Sequence, residues 1–154
     1  MRNFKPILLV DDDDVDAIIT QRAINDLKIT NELIRKVDGE DALEYLKDAN
    51  NPRPCVILLD LNMPRMNGFE FLKIVKKDDD LKRIPIAVLT TSDVDQNIID
   101  SFNLGVAGYI VKPVDYKQFL EAMKTINMYW TLSQLPPDKM ADDLVSAGSQ
   151  SQSI

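Results

Sequence analysis

Four stretches of the chain carry side chains able to do chemistry, and each follows a short apolar run. Asp11-Asp12-Asp13-Asp14 follows Ile7-Leu8-Leu9-Val10, and Asp60 follows Cys55-Val56-Ile57-Leu58-Leu59 and leads into Leu61-Asn62-Met63-Pro64. Thr90-Thr91-Ser92 follows Ile86-Ala87-Val88-Leu89, and Lys112-Pro113 follows Gly108-Tyr109-Ile110-Val111. If these runs are strands of one parallel sheet, their ends gather carboxylates, hydroxyls and one ammonium at a single edge. Two carboxylates about 4 Å apart repel by roughly 4 kcal/mol at an effective dielectric near 20. Three of them around one lysine leave a net negative pocket that requires a cation. A ligand set of oxygens alone selects a hard divalent ion, Mg²⁺ foremost, held through one or two carboxylates plus water. Phosphate oxygens would complete its shell, and a carboxylate beside such an ion can attack phosphorus to give an aspartyl phosphate. The Thr90 hydroxyl and Lys112 ammonium would then bind phosphoryl oxygens where transition-state charge is spread.

Composition removes most other chemistries. The 154 residues hold no histidine and a single cysteine, Cys55. Ser-His-Asp and Cys-His triads, histidine metal ligands, a phosphohistidine carrier, an internal disulfide framework and a cysteine-based zinc site are all excluded. Lys and Arg number 18 against 25 Asp and Glu, a net charge of −7. Such a surface repels a phosphate backbone, so no nucleic acid is expected as the main partner. The apolar run near the N-terminus is too short for a signal peptide, and nothing approaches the roughly 20 apolar residues that span a bilayer. The expectation is a cytoplasmic chain with no membrane partner.

The elements that must position these residues are legible as alternating periodicities. Continuous runs of four or five apolar residues suit strands buried on both faces, and Leu33-Ile34-Arg35-Lys36-Val37 suits an edge strand. Helical spacing fills the gaps: Val15, Ile18, Ile19, Ala23 and Leu27; Ala42, Leu43 and Leu46; Phe71, Leu72 and Val75; Ile98, Ile99 and Phe102; and Phe119, Leu120, Met123, Ile126 and Trp130. The alternation predicts an α/β fold, a doubly wound five-stranded parallel sheet with five helices and right-handed crossovers. Ligands in such sheets bind outside the carboxyl ends of the strands, where strand order reverses. The domain is placed at residues 1–130. Residues 131–154, with Pro136-Pro137 and a Ser/Gln-rich end, are expected to be a largely disordered extension.

Asp11-Asp12 after a strand, Asp60 within Leu-Leu-Asp-Leu-Asn-Met-Pro-Arg-Met-Asn-Gly, Thr90-Thr91 and Tyr109-Ile-Val-Lys112-Pro113 resemble the receiver domain of bacterial two-component response regulators. The likeness covers roughly residues 5–130 with one residue type per strand end. It implies a flavodoxin-like fold of the receiver type, with Asp60 as phosphoacceptor. Asp11, Asp12, Asp60 and the backbone carbonyl of Asn62 would hold Mg²⁺, and Lys112 would contact a phosphoryl oxygen. It further implies that Thr90 and Tyr109 form a switch pair, Tyr109 turning inward as Thr90 moves toward the phosphoryl group. The chain is similar to stand-alone regulators serving cyanobacterial phytochromes. The implied donor is a sensor histidine kinase, with a phytochrome-like kinase among the candidates, or a phosphotransfer protein, with self-phosphotransfer and self-dephosphorylation as the only chemistry. A homodimer through the fourth helix, fifth strand and fifth helix would use Phe102, Leu104, Met128 and Trp130.

Blander roles compete at several positions. Asp13 and Asp14 stand where those relatives usually carry Asn-Pro; they either cap the first helix, whose dipole favours acidic residues, or tighten the cation site. Asp12-x-Asp14-x-Asp16 imitates the start of a calcium loop, but Ala17 and Ala23 occupy the positions where that loop needs Gly and Glu. Asn67-Gly68 reads as a turn. Cys55 reads as inert core. A haloacid-dehalogenase-type phosphatase needs a general acid two residues after its aspartyl nucleophile, and Asn62 cannot serve. A degenerate receiver acting only as a scaffold is opposed by the complete set of acidic, hydroxyl and lysine residues.

Overall fold

A computed structural model describes residues 5–61, 66–90, 99–100, 104–111 and 115–133, with the backbone alone at Thr90, Val111 and 128–133. Five strands run β1 (Ile7–Val10), β2 (Leu33–Lys36), β3 (Val56–Asp60), β4 (Ile86–Thr90) and β5 (Gly108–Val111). All neighbouring pairs are parallel, in the order β2-β1-β3-β4-β5. Four helices are described: α1 (Asp14–Asp26), α2 (Gly39–Lys47), α3 (Gly68–Lys77) and α4 (Tyr116–Ser133). The helix expected around Ile98, Ile99 and Phe102 lies mostly outside the described residues, although Ile99 and Asp100 are helical. The boundary placed at residue 130 falls inside α4, and residues 134–154 lie outside the described part.

Strand residues alternate between two cores because successive side chains point to opposite faces. Leu8, Val10, Ile57, Leu59, Ile86 and Val88 pack with α2 and α3 residues such as Leu43, Phe71, Leu72 and Val75. Ile7, Leu9, Val56, Leu58, Ala87, Leu89 and Ile110 pack with Ala23 and Ile24 of α1 and Phe119, Met123 and Ile126 of α4. Each large side chain buried this way contributes about 1.5–3 kcal/mol. The doubly covered sheet is what the unbroken apolar runs predict, and β2 is the edge strand, partly exposed throughout.

Two sequence expectations are corrected. Helix α1 forms, but it buries Thr20, Ala23 and Ile24 and leaves Val15 and Ile18 61% and 67% exposed. Partly buried Ala17 and Leu27 extend this face, and Thr20 is buried with its hydroxyl donating to the Asp16 carbonyl at 2.8 Å. Leu104, assigned to a docking face, is a buried core residue that joins Ile99 on the α2/α3 side. Cys55 is buried, as expected, and Asn31 Nδ2 lies 3.8 Å from its sulfur. Its thiol pKa is pushed up to about 12 by burial.

Candidate functional site

Strand order reverses between β1 and β3, and the acidic residues gather at their carboxyl ends. Val10 pairs with Leu59, so the next residues along the two strands, Asp11 and Asp60, are neighbours. One carboxylate oxygen from each of Asp11, Asp12 and Asp60 lies within 4.8 Å of the others. Asp11 is fully buried, Asp60 is 5% exposed and Asp12 is exposed. Two buried carboxylates and one at the rim make a negative pocket with one open side.

Each neighbouring aspartate has its own task. Asp11 Oδ1 accepts the Asp13 amide at 2.9 Å, which orients the buried carboxylate. Asp13 is the N-cap of α1, accepting from the amides of Val15 at 2.8 Å and Asp16 at 3.3 Å. That choice between capping and cation binding is settled for Asp13 in favour of the cap, a role that contributes about 0.5–2 kcal/mol. Asp14 accepts from Arg35 Nη1 at 2.7 Å across the gap to β2.

Asp60 is held from the α3 side by a glycine. The Leu61 amide donates to the Leu89 carbonyl at 3.3 Å, and the Gly68 amide returns to the Leu61 carbonyl at 3.1 Å. A Cβ on Gly68 would stand 2.5 Å from Leu61 Cα and 2.6 Å from the Asp60 carbonyl oxygen. Reading Asn67-Gly68 as a turn missed this approach. Asn67 caps α3 through the Glu70 amide at 3.0 Å, while Gly68 lets the helix start against the backbone of the acidic strand end. The signal was present as a glycine at the first position of a helix, where no turn requires one.

The remaining expected site residues are placed to different extents. Thr90 ends β4, in register with Val111 of β5; its side chain lies outside the described part, as do Asn62 and Lys112. Tyr109 lies on β5, its ring packed on the α2/α3-side core and its hydroxyl donating to Asp100 Oδ1 at 3.0 Å. Burial, helped by that carboxylate, pushes the phenol up to about 12.

The acidic cluster passes a test of fit for a hard divalent ion. The three carboxylate oxygens lie within 4.8 Å of one another, near enough to share one such ion. The donor set is oxygen only, and the exposed side at Asp12 leaves room for water and an anion.

Known proteins share this fold. The family model for the response regulator receiver domain matches residues 7–124. The chain is 39% identical over 130 residues to response regulator Rcp1 of Synechocystis, covering 82% of this chain and 88% of Rcp1. The Mn²⁺-bound structure of Rcp1 superposes with a TM-score of 0.71, covering 82% of this chain and 94% of that one. The phosphorylated cyanobacterial phytochrome response regulator RcpA gives 0.74 at 37% identity, covering 88% and 99%. The bacteriophytochrome response regulator RtBRR gives 0.73 at 36% identity, covering 96% of this chain and 93% of its own. With its five-stranded parallel sheet, its acidic crevice and these relatives, the chain belongs to the response regulator receiver domain family of two-component signalling.

Proposed function

We propose that this protein is a stand-alone response regulator that accepts a phosphoryl group on Asp60 with Mg²⁺ and signals through protein–protein contact. The observation that carries this reading is the convergence of Asp11, Asp12 and Asp60 oxygens within 4.8 Å at the point where strand order reverses. Asp11, Asp12, Asp60 and the Asn62 carbonyl would hold the ion, which when bound would offset the repulsion between carboxylates and an incoming phosphoryl group. The relatives support the choice: Rcp1 was crystallised with Mn²⁺ and RcpA in a phosphorylated form.

An Asp60 oxygen attacks phosphorus as the donor's bond to phosphorus breaks, and the donor leaves with that electron pair. Burial of Asp60 and Asp11 limits bulk water at the acyl phosphate, whose survival is the signal. Thr90 and Lys112 bind phosphoryl oxygens in this reading, and the acyl phosphate, carrying about −1.5 to −2 where the free carboxylate carries about −1, biases an equilibrium between two arrangements. Tyr109 is the reporter of that equilibrium, and its bond to Asp100 is the contact that inward rotation would break. The donor is a sensor histidine kinase or a phosphotransfer protein, and the phytochrome regulators among the relatives favour a phytochrome-like kinase. Homodimerisation through the face of β5 and its flanking helices belongs to the same proposal, with Leu104 removed from it.

Incubation with acetyl phosphate tests the reading. A gain of one phosphoryl mass is expected with Mg²⁺ present, and none after chelation or in Asp60→Asn. Continuous hydrolysis without an adduct indicates a phosphatase, and no reaction at all indicates a scaffold.

A further inference from the structure

An arginine on the edge strand reaches into the backbone of the acidic site. Arg35, paired in register with Leu9 of β1, donates from Nε to the Asp11 carbonyl at 3.1 Å and from Nη1 to Asp14 Oδ1 at 2.7 Å. The preceding peptide is gripped from the same strand, because the Asp11 amide donates to the Lys36 carbonyl at 3.0 Å. Asp11 is thus fixed at its N–H, at its C=O and, through the Asp13 amide, at its carboxylate. Arg35 is 27% exposed while Asp14 is 86% exposed, so the ion pair adds little stability by itself. Its geometry matters more. A planar guanidinium has donors at fixed angles, and satisfying two acceptors at once sets where each acceptor sits.

We propose that Arg35 is a positioning residue for the cation site. It locks the peptide that carries Asp11 and draws Asp14 away from the crevice, so that three carboxylates rather than a shifting set of four face the ion. The inference rests on the reading of Asp11, Asp12 and Asp60 as the cation-binding phosphoacceptor site.

The charge-neutral double variant Arg35→Gln/Asp14→Asn isolates the grip, because it removes one positive and one negative charge together. Mg²⁺ titrated into the protein by calorimetry is expected to bind at least about tenfold more weakly, the effect of removing groups that orient metal ligands. The Mg²⁺ concentration giving half-maximal phosphoryl uptake from acetyl phosphate should rise by the same factor, with the plateau at saturating Mg²⁺ retained. A general loss of structure would lower that plateau instead and overturn the proposal. Arg35→Lys, with one ammonium in place of the fork, should fall between wild type and the double variant. Mg²⁺ affinity in the double variant within twofold of wild type overturns the role of Arg35 while leaving the site intact. Mg²⁺ binding that is absent in wild type, or undiminished in Asp60→Asn, overturns the site reading and the Arg35 role with it.

Discussion

Four consecutive aspartates look interchangeable in one dimension, yet each is bound to a different partner. Asp11 is buried and tied to the Asp13 amide, Asp12 faces solvent at the rim, Asp13 caps α1 and Asp14 meets Arg35. The carboxylate types at the site were legible because acidic residues that follow apolar runs have few reasons to be there. The partition among them was not, because it depends on which amides α1 leaves open and on an arginine twenty-one residues away. Arg35 itself gave no signal beyond a charge in an edge strand. Cys55 illustrates the opposite case, a reactive residue type made inert by burial. Its thiol ordinarily ionises near 9, but in the fold only near 12. The folded protein therefore keeps a proton that the unfolded chain loses. The stability this contributes is complete below about pH 9 and is lost as pH rises through the folded value. At pH 9, iodoacetamide should modify native Cys55 at least tenfold more slowly than the denatured chain, read by intact mass; equal rates would show an accessible thiolate.

At the scale of elements, unbroken apolar runs placed the strands well, because a strand covered on both faces tolerates no polar position. Helix α1 was found but its orientation was misread. Val15, Ile18 and Ile19 are more apolar than Thr20 and Ala23, yet the smaller residues fit against the sheet and the larger ones face out. A residue whose hydroxyl satisfies itself on its own helix reads as polar in sequence and behaves as core in space. The junction of β3 and α3 makes the sharpest element-scale demand. Gly68→Ala adds a methyl where 2.5 Å separates it from Leu61 Cα, so backbone and not a flexible side chain must give way. Alanine's better helix propensity offers at most about 1 kcal/mol, whereas overpacking costs about 1–3 kcal/mol. Gly68→Ala should melt at a lower denaturant midpoint and take up phosphoryl more slowly, since the displaced carbonyl is that of Asp60. An unchanged midpoint and rate would mean that the junction is slack.

For the whole molecule, the carboxyl ends of β1 and β3 hold the acidic crevice, and α1 rises beside it with Val15 and Ile18 outward. No helix among the described residues is long and apolar enough to cross a membrane. In the proposed reading, a protein donor bringing phosphorus to Asp60 would approach beside this surface, and apolar contact there would hold it. Ile18→Lys should therefore slow phosphoryl transfer from a phosphorylated histidine kinase by at least tenfold while leaving uptake from acetyl phosphate unchanged. Equal slowing with both donors would place the defect in the site, not in docking. Asp60 is the proposed acceptor among the clustered carboxylates. Phosphorylated protein reduced with borohydride and digested should yield homoserine at position 60 and at no other aspartate. Homoserine at position 11 or 12, or none in protein that has gained phosphoryl mass, would contradict it.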